Sequence, residues 1–153
     1  MSTTSTQKDL VVNKNGPVII IEDDSDDQWL LTEIFEKLNY QNKILFFSDG
    51  QEALDHIEKT DQPPFLILSD INMPKLNGFA LREKLRTDSK LNNKCIPYLF
   101  FSTAADQKTI IDAYSQSVQG FFVKRNSMAE LESTISAIME YWRRCAAPND
   151  FAE

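Results

Sequence analysis

Five short apolar segments recur along the chain, separated by longer segments in which apolar residues repeat at helical spacing. The apolar segments are residues 18–21, 43–47, 65–69, 96–101 and 120–123. They are continuous rather than alternating, which is typical of strands that are covered by helices on both faces. We therefore predict five strands, each leading into a helix. This repeated alternation predicts a parallel sheet in an α/β domain.

The segments between the strands carry the spacing of amphipathic helices. The first helix is predicted to start at Ser25, with Gln28 at the capping-box position, and the last at Ser127, with Glu130 in the same place. The third is predicted over about 79–86. The apolar stripes of the first and last helices are Leu30, Leu31, Ile34, Phe35 and Leu38, and Leu131, Ile135, Ile138, Met139 and Trp142.

The same pattern predicts one domain over residues 17–142. Residues 1–16 are polar, lack periodicity and end at a Gly-Pro step, and we interpret them as a flexible leader. Residues 143–153 follow the last apolar stripe and contain a proline, and we interpret them as a C-terminal tail. A length of 153 residues suits one domain whose core needs no disulfide or structural metal.

Charge and cysteine content exclude some classes of function. A formal net charge of -7 argues against a general nucleic-acid-binding protein, which would present a basic face. The two cysteines, Cys95 and Cys145, form no Cys-x-x-Cys pair, and we interpret them as reduced thiols. The polar N-terminus does not resemble a signal peptide, and we find no segment with the length of a membrane span. We therefore expect a cytoplasmic protein that binds neither nucleic acid nor membrane.

Polar residues directly follow four of the predicted strands. Glu22 and Asp23 follow the first strand and Asp70 follows the third, while Ser102 follows the fourth and Lys124 the fifth. The carboxyl ends of parallel strands lie along one edge of a sheet, and ligands bind there in open α/β folds. We expect these five side chains to converge at that edge.

Three carboxylates at one edge repel one another and require a cation. Mg²⁺ favours oxygen ligands and keeps positions open for water and phosphate oxygens, whereas Zn²⁺ would favour His or Cys. Lys124 would then bring the net charge near zero, so that a phosphoryl group can approach. Asp70 is the candidate nucleophile, which would form an aspartyl phosphate, and Ser102 is a candidate hydrogen-bond donor to it.

Four segments resemble the receiver domain of two-component response regulators. They are Ile21-Glu22-Asp23-Asp24, Ser69-Asp70-Ile71-Asn72-Met73-Pro74 with Gly78, Phe101-Ser102-Thr103-Ala104 and Phe122-Val123-Lys124. They occur in the family's order, and the resemblance spans roughly residues 17–142. It implies a flavodoxin-like (βα)5 fold, doubly wound, with a five-stranded parallel sheet in the order 2-1-3-4-5.

The resemblance also implies a role for each site residue. Asp70 would be the phosphoacceptor, Ser102 the switch hydroxyl and Lys124 the lysine that contacts phosphate. The Mg²⁺ ligands would be Glu22, Asp23, Asp70 and the backbone carbonyl of Asn72. Phe121 would be the switch aromatic, although a place in the core explains an apolar strand residue equally well.

As a relative of that family, the protein would be a single-domain response regulator and not a conventional enzyme, since it would catalyse only its own phosphorylation and dephosphorylation. The phosphoryl group would come from a histidine kinase or a histidine phosphotransfer protein. The signal would pass to a downstream protein through a contact that changes on phosphorylation. We expect that contact on the face formed by residues 106–142, which is also a candidate for a homodimer contact.

Three positions bear on the family pattern. Arg125 follows Lys124 where the family often has a proline in a cis peptide. Because a cis bond without proline costs about 3–4 kcal/mol, we expect a trans bond or a differently arranged loop there. Ala104 and Asn72 occupy positions that influence how water reaches the phosphoryl group in this family, and they suggest an intermediate lifetime for the phosphorylated form.

Three other kinds of protein share part of the pattern. A phosphatase of the haloacid dehalogenase type also uses an aspartate and Mg²⁺, but its second aspartate is replaced here by Asn72, which cannot protonate a leaving group. A receiver that binds partners without phosphorylation is disfavoured by the complete set of site residues. An EF-hand calcium protein is disfavoured because residues 22–28 lack the glycine that its loop requires.

Overall fold

The computed structural model describes residues 14–124 and 127–146. Its strands are β1 (Val18–Ile21), β2 (Ile44–Phe47), β3 (Leu66–Ser69), β4 (Tyr98–Ser102) and β5 (Gly120–Val123). Its helices are α1 (Ser25–Leu38), α2 (Gly50–Lys59), α3 (Gly78–Thr87), α4 (Ser89–Asn92), α5 (Gln107–Ser115) and α6 (Met128–Arg144). Every predicted strand is present, and α4 is a single turn that the helical spacings did not predict.

Three parts of the chain lie outside the described residues, namely 1–13, 125–126 and 147–153. Most of the expected leader, most of the expected tail and the peptide bond between Lys124 and Arg125 therefore lie outside them too. None of the helices in the described ranges is long and apolar enough to cross a membrane.

The five strands form one parallel sheet in the order β2-β1-β3-β4-β5, so the predicted fold class and strand order are confirmed. The register pairs Ile21 with both Phe47 and Ser69, and Ser102 with Val123. The last residues of neighbouring strands therefore lie side by side at one edge. The order reverses between β1 and β3, and such a reversal opens a crevice beyond the carboxyl ends of the strands.

Two apolar layers cover the sheet, because successive strand residues point to opposite faces. Ile20 and Leu68 face the layer formed with α1 and α6, while Ile19 and Ile67 face the layer formed with α2, α3 and α5. These four side chains are almost fully buried. The covered strands are therefore apolar throughout, which accounts for the continuous apolar segments of the sequence.

The helix α1 starts at Ser25 as predicted, but its capping residue differs from the prediction by one position. Asp24, not Ser25, caps the helix, because its Oδ1 accepts hydrogen bonds from the amides of Asp26 at 2.8 Å and Asp27 at 3.2 Å. The side chain of Gln28 donates to the carbonyl oxygen of Glu22 at 2.6 Å. A carboxylate caps a helix as well as a hydroxyl does, so the sequence alone did not distinguish the two neighbours. At α6, the Ser127 cap is confirmed.

A buried arginine joins α3 to the strands beside it. The guanidinium of Arg82 donates to the carbonyl oxygens of Gln116 at 3.1 Å and Ser117 at 2.7 Å, and lies 5.6 Å from the ring centre of Tyr98. Burial lowers the pKa of Arg82 below its ordinary value. The Tyr98 hydroxyl donates to the carbonyl oxygen of Gly78 at 3.0 Å. These contacts fix α3 against β4 and against the loop that precedes β5.

Candidate functional site

The sheet itself positions the backbone of each candidate residue. The amide of Glu22 donates to Phe47 at 2.9 Å, and the amide of Asp70 donates to Ile21 at 3.0 Å. The amide of Lys124 donates to the carbonyl oxygen of Ser102 at 2.9 Å. Strand-like hydrogen bonds thus continue past the ends of the strands and bring the predicted residues to the same edge.

Three carboxylates meet at this edge. Glu22, Asp23 and Asp70 each offer a carboxylate oxygen, and these atoms lie within 4.8 Å of one another. Glu22 is buried and Asp23 is exposed, so the group opens to solvent on one side. Asp70 is held in orientation because its Oδ1 accepts a hydrogen bond from the amide of Ile71 at 2.7 Å. A set of oxygen ligands that opens to water fits a hard divalent cation such as Mg²⁺.

Lys124 supplies the positive charge of the site. Its ammonium contacts Glu22, lies 3.1 Å from Oδ2 of Asp27 and lies 3.2 Å from Oδ2 of Asp70. Burial by itself disfavours the charged form, but the hydrogen bond to Glu22 and the charge of Asp70 outweigh it and raise the pKa of Lys124. The lysine therefore stays protonated through the neutral pH range.

The charge on Glu22 is only partly compensated. Burial raises the pKa of the Glu22 carboxyl above its ordinary value, although Lys124 and the amide of Asp24 act in the opposite direction. Since a buried carboxylate is stabilised by any further positive charge beside it, the site is electrostatically suited to a divalent cation in addition to the lysine.

Asp27 belongs to this site, and the sequence analysis did not assign it there. An acid on the first helical turn suits the positive end of the helix dipole, which accounts for Asp27 without a role at the site. The signal was its helical phase, because Asp27 precedes the buried Leu31 and Ile34 at the spacing i, i+4, i+7. That spacing turns its side chain towards the protein and towards Lys124.

Gly78 is required by the space beside Asp70. A Cβ atom at this position would lie 2.3 Å from the carbonyl oxygen of Asp70 and 2.8 Å from the ring of Phe100. The amide of Gly78 donates to the carbonyl oxygen of Ile71 at 2.8 Å, which folds the loop after Asp70 back onto the strand. The exposed Asn72 lies in this loop, and the role of its carbonyl as a metal ligand stays a prediction.

Ser102 and Phe121 lie on the neighbouring strands. Ser102 is 1% exposed, and its hydroxyl accepts a hydrogen bond from the amide of Ala104 at 3.1 Å. Phe121 is half-buried, with its ring centre 6.1 Å from that of Phe100, which in turn lies 5.2 Å from the ring of Phe79. This row of rings connects β5, β4 and the start of α3. The switch roles of Ser102 and Phe121 stay predictions.

Comparison with known proteins agrees with this geometry. Residues 18–136 match the model of the response regulator receiver domain. Chemotaxis protein CheY-3 of Vibrio cholerae is 29% identical over 130 residues, covering 85% of this chain and 96% of that protein.

Solved structures agree as well. Response regulator RPA3017, in red light signalling of R. palustris, has a TM-score of 0.79 at 29% identity, covering 87% of this chain and 98% of that one. The receiver domain of sensor histidine kinase PA1611 from Pseudomonas aeruginosa, with a magnesium ion coordinated in its active-site cleft, has a TM-score of 0.67 at 19% identity, covering 84% and 98%. With most of its length matched by the family model, this chain belongs to the response regulator receiver domain family, and it is a signalling protein and not a conventional enzyme.

Proposed function

We propose that this receiver domain accepts one phosphoryl group on Asp70, in a Mg²⁺-dependent reaction, from a histidine kinase or a histidine phosphotransfer protein. One observation carries the proposal: the Asp70 carboxylate lies 3.2 Å from the Lys124 ammonium and belongs to a group of three carboxylates whose oxygens lie within 4.8 Å of one another. A nucleophile beside a fixed cation and among cation ligands is arranged for attack on an anionic phosphoryl group.

The transfer is a simple exchange at phosphorus. A carboxylate oxygen of Asp70 forms a bond to phosphorus, the bond from phosphorus to the donor imidazole nitrogen breaks, and the imidazole leaves with its electron pair, which a proton neutralises. The Ile71 amide keeps the carboxylate in orientation, while the Lys124 ammonium donates hydrogen bonds to the phosphoryl oxygens. Hydrolysis removes the phosphoryl group, since water attacks phosphorus, the bond from phosphorus to the Asp70 oxygen breaks, and inorganic phosphate is released.

The metal requirement follows from the acidic group. Glu22, Asp23, Asp70 and the backbone carbonyl of Asn72 are the proposed ligands of Mg²⁺. When bound, Mg²⁺ would offset the charge of the carboxylates and stabilise the charge on the phosphoryl oxygens. The magnesium ion coordinated in the PA1611 receiver domain supports this assignment.

The output is a proposed change of protein contacts. Ser102 would turn from the Ala104 amide towards the new phosphoryl oxygens, and Phe121 would transmit that movement along β5. Among the described residues of the face formed by 106–142, four large apolar side chains are exposed, namely Ile111, Tyr114, Met128 and Tyr141. We propose that this face contacts a downstream protein or a second copy of this chain. We also propose that the domain spans residues 17–142 and that the protein is cytoplasmic.

Intact-protein mass spectrometry tests the proposal. Incubation with Mg²⁺ and acetyl phosphate should add the mass of one phosphoryl group, and base should remove it. Asp70→Asn and chelation of Mg²⁺ should each abolish the adduct, while Asp55→Asn, which changes an exposed aspartate on α2, should keep it. Absence of the adduct at saturating donor would overturn the proposal and favour a receiver that works without phosphorylation. Continuous hydrolysis of unrelated phosphomonoesters would favour a phosphatase.

A further inference from the structure

The Lys124 ammonium contacts the carboxylates of Glu22, Asp70 and Asp27. Asp27 differs from the other two. Glu22 and Asp70 both belong to the group that could hold a metal ion, whereas Asp27 does not. With a metal ion in place, Glu22 and Asp70 would share their negative charge with it. The Asp27 carboxylate, whose Oδ2 lies 3.1 Å from the Lys124 ammonium, would not be shared with the proposed metal.

Few other hydrogen-bond acceptors surround the pair formed by Asp27 and Lys124. A small cavity of about 20 Å³ lies beside it, lined by Asp27, Leu30, Leu31, Phe101, Lys124 and Leu131. Four of these six side chains are apolar and offer no hydrogen-bond acceptor. A lysine side chain has a flexible four-carbon stem and a strongly hydrated ammonium, so without Asp27 only Glu22 and Asp70, which the proposed metal would share, would keep it from turning towards solvent.

Asp27 is itself held in place. Its amide donates to the capping oxygen of Asp24 at 3.2 Å, and its side chain is 38% exposed, against 11% for Lys124. The carboxylate therefore stands at the border between solvent and site, on the first turn of a helix anchored by buried side chains. It is placed to fix the outer side of the ammonium while Asp70 contacts the inner side.

We propose that Asp27 is a positioning residue, which holds the Lys124 ammonium towards Asp70 for phosphoryl transfer. The proposal rests on the proposed function of Asp70. It assigns to α1 a part in the reaction that acts through Lys124, beyond the contribution of this helix to the core.

Kinetics of phosphorylation with phosphoramidate test the role in transfer. Asp27→Ala should lower the maximal rate by about 3- to 10-fold, the range expected for a charge-assisted hydrogen bond that is partly open to solvent. The half-saturating donor concentration should stay nearly constant, because the effect is on the transferring group. Asp27→Asn keeps an oxygen acceptor and should fall between Asp27→Ala and the wild type.

Asp26→Ala is the matched control. It removes the same charge from the same helical turn, and Asp26 is exposed and lies outside the inward-facing stripe. Its rate should stay within about twofold of the wild type, as expected for an exposed charge. Equal rates for Asp27→Ala and Asp26→Ala, or a faster Asp27→Ala, would overturn the proposal.

The side-chain ammonium signal of Lys124 in ¹⁵N NMR tests the contact without any reaction. Hydrogen bonds slow proton exchange, so the wild type and Asp26→Ala should show the signal and Asp27→Ala should weaken or lose it; Lys124→Met assigns it. An unchanged signal in Asp27→Ala would overturn the contact. If the wild type cannot be phosphorylated, the proposed function fails and the role of Asp27 in transfer fails with it, whereas the NMR signal still decides whether Asp27 holds Lys124.

Discussion

Replacing Gly78 with alanine should destabilise this protein, although alanine favours helices more than glycine does. Gly78 is the first residue of α3, and within the described ranges no glycine has a positive φ. Backbone conformation therefore gives no reason for glycine at this position. From helix propensity alone, the alanine variant should gain about 0.5–1 kcal/mol.

Packing predicts the opposite sign. The new Cβ would lie 2.3 Å from the carbonyl oxygen of Asp70, 2.8 Å from Phe100 and 3.1 Å from the Cα of Ile71. Two of these three contacts involve backbone, which cannot rotate away as a flexible side chain can. Overpacking of this kind costs about 1–3 kcal/mol. Subtraction of the helical gain leaves a net loss of up to about 2.5 kcal/mol in the free energy of unfolding, with about 1 kcal/mol at the centre of the range, which corresponds to roughly 2–4 °C in Tm.

Urea unfolding followed by circular dichroism measures this loss. Gly120→Ala is the control, because its new Cβ would meet only side-chain atoms, of Phe122 at 3.1 Å and Leu99 at 3.2 Å. Small movements relieve contacts of that kind, so the control should lose less than Gly78→Ala. A Gly78→Ala variant as stable as the wild type, or more so, would refute the steric argument and leave helix propensity as the dominant effect.

Two further predictions concern the site and the core beneath it. Mg²⁺ should raise the Tm of the wild type, with a gain of about 2.7 kcal/mol at a hundred times the dissociation constant, and Asp23→Asn should lose most of this gain in differential scanning fluorimetry. Tyr98→Phe should lose about 1 kcal/mol of unfolding free energy near pH 7, because the hydrogen bond from the hydroxyl to the carbonyl oxygen of Gly78 disappears. Burial raises the pKa of the Tyr98 phenol, so the stability that its neutral form contributes is present below about pH 10 and declines as the pH rises from there. Parallel urea titrations at neutral and alkaline pH should show a shallower decline for Tyr98→Phe than for the wild type.

A specific result would contradict each of these two predictions. Equal Mg²⁺-induced shifts in the wild type and Asp23→Asn would exclude Asp23 as a ligand, and Asp26→Asn should keep the full shift as the control. For Tyr98, curves of stability against pH that run parallel in the two proteins would show that its ionisation plays no part in alkaline destabilisation.

The sequence was sufficient for the fold because the strands are apolar on both faces. Residues such as Ile19 and Ile20 point into different layers, so both must be apolar. Each strand is therefore recognisable in the sequence as a continuous apolar segment. The edge of the sheet followed from the same logic, since Glu22 and Asp70 come directly after strands. The strand order came from the resemblance to a family and not from periodicity.

What the sequence did not reveal depends on distances between distant parts of the chain. Asp27 could not be placed in the site from the sequence, because contact with Lys124 depends on where β5 lies relative to α1. Asp24 and Ser25 are both good capping residues, so local preference could not choose between them. The motif contained Gly78, but only the position of the Asp70 carbonyl explains why a side chain is excluded there.

The ion pair between Lys124 and Glu22 joins residues 102 positions apart in the chain. During synthesis, the strands that carry the acidic residues leave the ribosome long before β5, so the carboxylates lack this counter-charge until the last strand emerges. Pairing over such a separation is also slow, because a long loop must close first. The proposed phosphorylation of Asp70 should therefore become possible only once β5 has joined the sheet.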